Sequence, residues 1–168
     1  HIEGRKHTQK NGKSIDKYFD DLSFFYRKRR LLKLKGNNYQ KTKISEDVFH
    51  WEISLSELKK ALEGHRPQKV LITTENYPEN KFGFHDPNYV LTLSAEAASY
   101  LASFADFNLY GTSWKSSDFN SQRGDRPIHN ILFQKAVVME CLVLNHVPAG
   151  EYFLTAFPLC LEGSSESP

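Results

Sequence analysis

The sequence predicts a single α/β layered domain spanning residues 1–168. Three observations carry this. Short apolar runs of strand length alternate with stretches of helical spacing. One run, Ala136 to Leu144, is almost wholly apolar, as a parallel strand covered on both faces should be. The length of 168 residues, 39 % of them hydrophobic and 25 % charged, suits one globular unit with a real core.

From the start of the chain, His1-Ile2-Glu3 reads as extended, which puts His1 and Glu3 on one face. Ile2-Glu3-Gly4-Arg5 also matches a protease-site scar of expression tags. Asn11-Gly12 marks a turn, and Ser14 to Phe19 reads as a short helix with Ser14 as its cap. Arg27 to Lys35 is a strand, with Leu32 and Leu34 facing one way and Lys33 and Lys35 the other. Ile53 to Leu62 has helical spacing. Leu55, Leu58 and Leu62 form its stripe, and Ser54 with Glu57 forms a capping box.

Lys69 to Thr73 is a buried strand. Residues 74–90 are loop-like and could carry Phe82, Phe84, His85 and Tyr89 to a pocket rim. Ser94 caps a second helix, Ala95 to Phe104, and Asn108-Leu109-Tyr110 is a strand. The small-residue loop from Gly111 to Asp118 falls where a sheet would present a ligand site. Residues 128–135 can form two helical turns after Pro127. Val147 to Gly150 is a turn, Glu151 to Ala156 a strand, and Gly163 to Pro168 a polar tail.

Several function classes are disfavoured. No apolar run approaches the ~18 residues of a membrane helix, and no signal-peptide pattern opens the chain. Cys141 and Cys160 fall in apolar runs and read as reduced, buried thiols, which suits a cytoplasmic protein. The net charge of +2 is uneven, with residues 1–45 holding 13 of the 22 Lys and Arg against 4 acids. Arg27 to Arg30 could grip phosphate or form a solvated, charged edge, and no base-reading module accompanies it.

Glu140 sits within the apolar run. An ionised carboxylate there must be paired or metal-bound, or else protonated. His129 stands eleven residues upstream, on a helix that could fold back to bring it close. Together they are half of a metal site; Glu140 paired with a buried Arg or Lys, and His129 bonded to backbone, is the alternative.

Four segments across nearly the whole chain resemble the metal-dependent cyclase family, which includes bacterial kynurenine formamidases. His1-x-Glu3-x-x-x-His7 is similar to the second half of its signature His-x-Gly-Thr-His-x-Asp-x-Pro-x-His, and Gly12-Lys13-Ser14-Ile15-Asp16 to its Gly-Lys-Thr-Ile-Asp turn. The third segment is Leu93 to Ala98 leading to Gly111 and Ser116-Ser117-Asp118. The fourth is His129 to Glu140, then Leu142, Val147 to Tyr152 and Pro158-Leu159. The register of Gly12 to Asp16 after His7 favours a native start over a tag scar.

The resemblance implies a three-layer swivelling β/β/α domain of the cyclase type, with a mixed sheet and flanking helices. It implies that His1, Glu3, His129 and Glu140 are metal ligands and that His7 is the general acid–base. Glu3 stands where the family has aspartate, and Arg5 where it has proline. The family's first signature histidine would precede residue 1, and another strand would follow Pro168, so the chain looks cut at both ends.

The implied activity is hydrolysis of an amide, lactam or lactone of a small-molecule substrate. One or two divalent ions, zinc or manganese, would activate water, and an aryl substrate could stack on Trp114 or the 74–90 aromatics. A dimer or larger oligomer is implied as well. Two other classes stay open: a relative that binds a small ligand without turnover, and a basic anion- or nucleic-acid-binding domain.

Overall fold

The computed structural model describes residues 1–119 and 125–168. In chain order the elements are β1 (Ile2–Glu3), β2 (Tyr26–Leu34), β3 (Gln40–Lys41), β4 (Phe49–Ile53), α1 (Leu55–Leu62), β5 (Lys69–Thr74) and β6 (Tyr89–Leu93). There follow α2 (Ala95–Ala102), β7 (Leu109–Thr112), α3 (Pro127–Leu132), β8 (Val137–Met139), β9 (Gly150–Thr155) and β10 (Glu166–Ser167).

A seven-stranded mixed sheet runs in the order β10-β1-β8-β7-β5-β2-β9. Its centre, β2, β5, β7 and β8, is parallel, and β1, β9 and β10 pair antiparallel at the flanks. A second sheet, β3-β4-β6, stands apart. A mixed sheet with flanking helices is what the resemblance implies, and the parallel centre explains why β5 and β7 are buried along their whole length.

Two cores lie on opposite faces of the large sheet. One joins Leu32, Leu34, Val70 and Ile72 to α1, α2, α3 and the second sheet through Trp51, Ile53 and Leu91. The other gathers Ile2, Ile15, Phe25, Leu31, Leu71 and Val137. Alternation along β2 sends Leu31 to one core and Leu32 to the other, as the strand period requires. The Ser54–Glu57 capping box is formed as read, and Ser94 Oγ accepts from the Ala97 amide.

Several elements differ from the sequence reading. Residues 15–20 form a 3₁₀ helix in which Ser14 makes no side-chain cap. β2 lies between β5 and β9, so Arg27 to Arg30 are not on an edge strand, and Arg29 lies over the Tyr152 ring at 5.3 Å. β4, of which only Ile53 was read, as the start of a helix, and β6, whose first two residues were read as loop, are strands because Trp51, Ile53, Leu91 and Leu93 bury against α1 and α2. β8 ends at Met139, so Glu140 stands at its C-terminal end and not mid-strand. Cys141 then turns left-handed (φ 60°), and both Cys141 and Cys160 are exposed, not buried. Residues 166–167 are a strand, not a free tail. Among the described residues no helix is long and apolar enough to cross a membrane.

The 74–90 segment leaves Phe82 and Phe84 exposed but buries His85. Its ring stacks on Tyr77 at 4.6 Å, Nδ1 lies 2.9 Å from Ser113 Oγ, and Nε2 lies 3.4 Å from the Tyr39 hydroxyl. Ser113 in turn bonds Thr73 at 2.8 Å, tying the loop to the ends of β5 and β7. Burial pushes the His85 pKa down to about 4 from 6.5. A group whose folded pKa is lowered binds its proton more readily when unfolded, so stability falls as pH drops below the unfolded value. Between about pH 7 and about pH 5 the parent should lose about 2 kcal/mol more than a His85→Gln variant, measured by urea unfolding. Parallel stability curves for the two proteins would remove His85 from this role.

Candidate metal centre

The C-terminal ends of β7 and β8 face the beginning of the chain. β1 runs antiparallel beside β8, with Ile2 opposite Met139 and Glu3 opposite Val138. The Glu140 amide donates to the His1 carbonyl at 3.1 Å, and so closes the ladder. Glu3 and Glu140 are each only 2 % exposed. They meet at one atom: His129 Nε2 lies 3.0 Å from Glu3 Oε2 and 3.1 Å from Glu140 Oε1.

His129 is fully buried on the first turn of α3. Pro127 suits that turn because its missing N–H would have had no helical partner. Asp118, from the loop after β7, takes the place of a cap. Its two oxygens accept from the Ile128 amide at 2.9 Å and the His129 amide at 3.0 Å. The same carboxylate lies 2.6 Å from His129 Nδ1. An Nδ1–H donated to Asp118 leaves the Nε2 lone pair aimed at Glu3 and Glu140, the arrangement that orients a ligating histidine. Ser117 steadies Glu140 by donating from both its amide and its hydroxyl, the latter at 2.8 Å.

Two further histidines close the site. His1 Nε2 lies 2.8 Å from Glu3 Oε1 and 3.6 Å from Glu140 Oε2. His7 Nε2 lies 3.4 Å from Glu3 Oε1, and its ring centre is 5.8 Å from that of His129. His7 Nδ1 lies 3.1 Å from Glu166 Oε2, and the Arg126 guanidinium meets Nε2, the nitrogen on the Glu3 side.

Among the described residues, neither Glu3 nor Glu140 has a Lys or Arg within ion-pair distance; the ion-pair partners of both are histidines. Without a cation the imidazoles must carry the charge. Burial opposes protonation of His129, but hydrogen bonds to Asp118, Glu140 and Glu3 outweigh it and lift its pKa to about 11. Burial would raise Glu3, yet bonds from His1 and His129 bring it down to about 2. Hydrogen bonds to Cys141 and Glu3 raise His1 to about 10. His7 differs: burial lowers its pKa, Glu3 opposes that and Arg126 adds to it, and the net direction is downward.

The donor set fits a divalent ion. Ligating atoms of Glu3, His7 and His129 lie within 4.8 Å of one another, as do those of His1, Glu3 and Glu166. Imidazole and carboxylate are both donors that divalent metals accept. An ion would also replace the protons now needed to balance two buried acids.

All five residues singled out from the sequence, His1, Glu3, His7, His129 and Glu140, are thus brought together. Four neighbours were not assigned a role there: Ser117, Asp118, Arg126 and Glu166. For Ser117 and Asp118 the signals were the resemblance carried by Ser116-Ser117-Asp118 and the small-residue loop itself, since a loop at the C-terminal end of a parallel strand is where polar ligands gather. Trp114, considered as an aryl platform, is 3 % exposed and donates its Nε1–H to the Pro87 carbonyl, so it is a core residue.

No family model matches the sequence, and no curated protein matches it. Solved structures do. A potential metal-dependent hydrolase with cyclase activity shares 24 % identity over 99 % of this chain and 73 % of its own, with a TM-score of 0.67. A predicted metal-dependent hydrolase from Bacillus stearothermophilus shares 24 % over 99 % and 71 %, with a TM-score of 0.65. Isatin hydrolase A from Ralstonia solanacearum shares 19 % over 99 % and 67 %, with a TM-score of 0.68. The chain has the fold of these hydrolases.

Proposed function

We propose that this chain is a metal-dependent hydrolase that opens an amide, lactam or lactone of a small molecule. One observation carries the reading. Two buried carboxylates converge on one imidazole nitrogen, and among the described residues no Lys or Arg neutralises them. The likeness in fold to metal-dependent hydrolases supports it. Isatin hydrolase acts on the compound in its name, so an aryl lactam belongs beside an N-formyl aryl amine among the candidate substrates.

Glu3, Glu140, His129 and His1 would hold one or two divalent ions. When bound, such an ion polarises a carbonyl and makes water more acidic. The residues do the rest. Asp118 holds the His129 ring in its ligating tautomer, and Ser117 holds one Glu140 oxygen. His7, neutral and beside the carboxylates, takes at Nε2 the proton that water gives up on attacking the carbonyl carbon. As the carbon–nitrogen or carbon–oxygen bond breaks, His7 returns that proton to the leaving atom. The products are a carboxylic acid and an amine or alcohol, which remain one molecule when a ring is opened.

Purified protein should carry about one or two zinc or manganese ions per chain by mass spectrometry. A chelator should remove them together with hydrolysis of an N-formyl aryl amine, an aryl lactam or a lactone, and added metal should restore both. Bound metal with no turnover across that panel would favour a non-catalytic binding protein. Salt-sensitive DNA or RNA binding that is indifferent to chelator would favour the anion-binding class.

Glu140→Gln should keep the fold and lower metal affinity by at least about 100-fold, because a neutral amide is a far poorer ligand. Parent-like metal content in that variant would overturn the assignment. Asp118→Asn should weaken metal binding by about 10- to 100-fold, since it leaves the direct ligands in place but frees the His129 ring.

A further inference from the structure

We infer that Glu166 is the positioning residue for His7, holding its proton on Nδ1 and leaving the lone pair on Nε2. This rests on the hydrolytic reading, in which His7 is the acid–base group.

Two neighbours of opposite character select the same tautomer. His7 Nδ1 lies 3.1 Å from Glu166 Oε2, and a carboxylate can only accept. His7 Nε2 meets the Arg126 guanidinium, which can only donate. A neutral ring satisfies both, with Nδ1–H donated to Glu166 and the Nε2 lone pair accepting from Arg126. Nε2 is the nitrogen on the Glu3 side, at 3.4 Å from Oε1, where a water would be activated.

The backbone explains how a residue near the last position reaches the site. β10 pairs antiparallel with β1, with Glu3 directly opposite Glu166. Directly opposed residues in such a ladder point to the same face, so the two carboxylates flank one space. His7, four residues after Glu3, enters that space.

The segment before β10 is tied down along its length. Lys6 Nζ donates to the Gly163 carbonyl at 2.6 Å, the Ile15 amide to the Ser164 carbonyl at 2.9 Å, and the Gly4 amide to the Ser165 carbonyl at 3.0 Å. The Glu166 side chain is 49 % exposed, yet the three residues before it are each held by a hydrogen bond and Glu166 itself pairs with Glu3 in the ladder. A rigid base with a partly solvated carboxylate suits orientation of a ring through one hydrogen bond. Glu166 is also near enough to His1 and Glu3 to be a ligand, and the experiment separates the two roles.

The test is the ¹⁵N NMR signature of the His7 ring in zinc-loaded and metal-free protein, assigned by its loss in His7→Asn. The parent should show a protonated Nδ1 and an unprotonated Nε2. Glu166→Ala should lose that preference, with kcat down by about tenfold and KM within about twofold. Glu166→Gln, whose amide oxygen can accept the same proton, should keep the tautomer and most of kcat. Glu166→Thr, a good strand former, serves if the alanine variant melts early. Zinc per chain should be unchanged throughout. Persistence of the Nδ1 proton in Glu166→Ala and Glu166→Thr, or release of an ion by either, would overturn the inference. Because the ring signature needs neither metal nor turnover, it decides the role of Glu166 even if the parent hydrolyses nothing on the panel.

Discussion

Two glutamates share a pocket from which water is nearly excluded, and among the described residues no lysine or arginine answers them. The rest of the architecture follows from that constraint. Like charges so placed repel, and the protein interior screens them poorly. The surrounding chain meets this with donors and imidazoles: Ser117 on Glu140, His1 on Glu3, and His129 between the two. Each lies on a different element, so neutralising the pair requires the strands, the loop after β7 and α3 to be assembled together. A buried acid pair of this kind is weak evidence of stability. On the proposed function it is a ligand set that the fold pays to keep.

How the set is assembled depends on one unusual strand. β1 has two residues, too few to hold itself in place, yet it is interior to the sheet with partners on both sides. Its register against β8 puts His1 beside Glu140, and its register against β10 puts Glu3 opposite Glu166. A slip by one residue would turn Glu3 to the opposite face and bring Ile2 into its place. Ile2, only 4 % exposed on the far face, is what resists the slip, since it fills the core between the sheet and Ile15. The apolar residue fixes the register and the acidic one uses it.

Much of this was legible in the residues. Period-two alternation marked β2, the apolar runs marked β5 and β8, and the Ser54–Glu57 box marked the start of α1. The order of His1, Glu3, His7, His129 and Glu140 carried the candidate site, because those residue types have chemistry that is recognisable without coordinates. What escaped had a physical reason. β4 and β6 are strands through burial of alternate side chains in a second small sheet, a tertiary effect that local pattern does not report. β8 was read too long because an apolar run does not show where pairing stops, and Cys141 ends it by turning left-handed. Glu166 lay in a stretch with the composition of a tail; only its pairing with β1 brings it to His7.

Asp118 shows why fold and site cannot be separated here. α3 has six residues, too few for a helix to persist on backbone bonds alone. Arg126 at its cap position gives no side-chain bond, so two of its leading amides would be unpaired in a buried place. Asp118 takes both amides and holds the ring of His129 with the same group. The interaction that starts the helix therefore also sets the direction of the imidazole lone pair. A helix capped by its own serine or threonine would form equally well and leave that ring free to turn. Placing the cap on the preceding loop makes the orientation of the candidate ligand a consequence of helix formation, and this is how a short, weak helix can present an accurately aimed side chain.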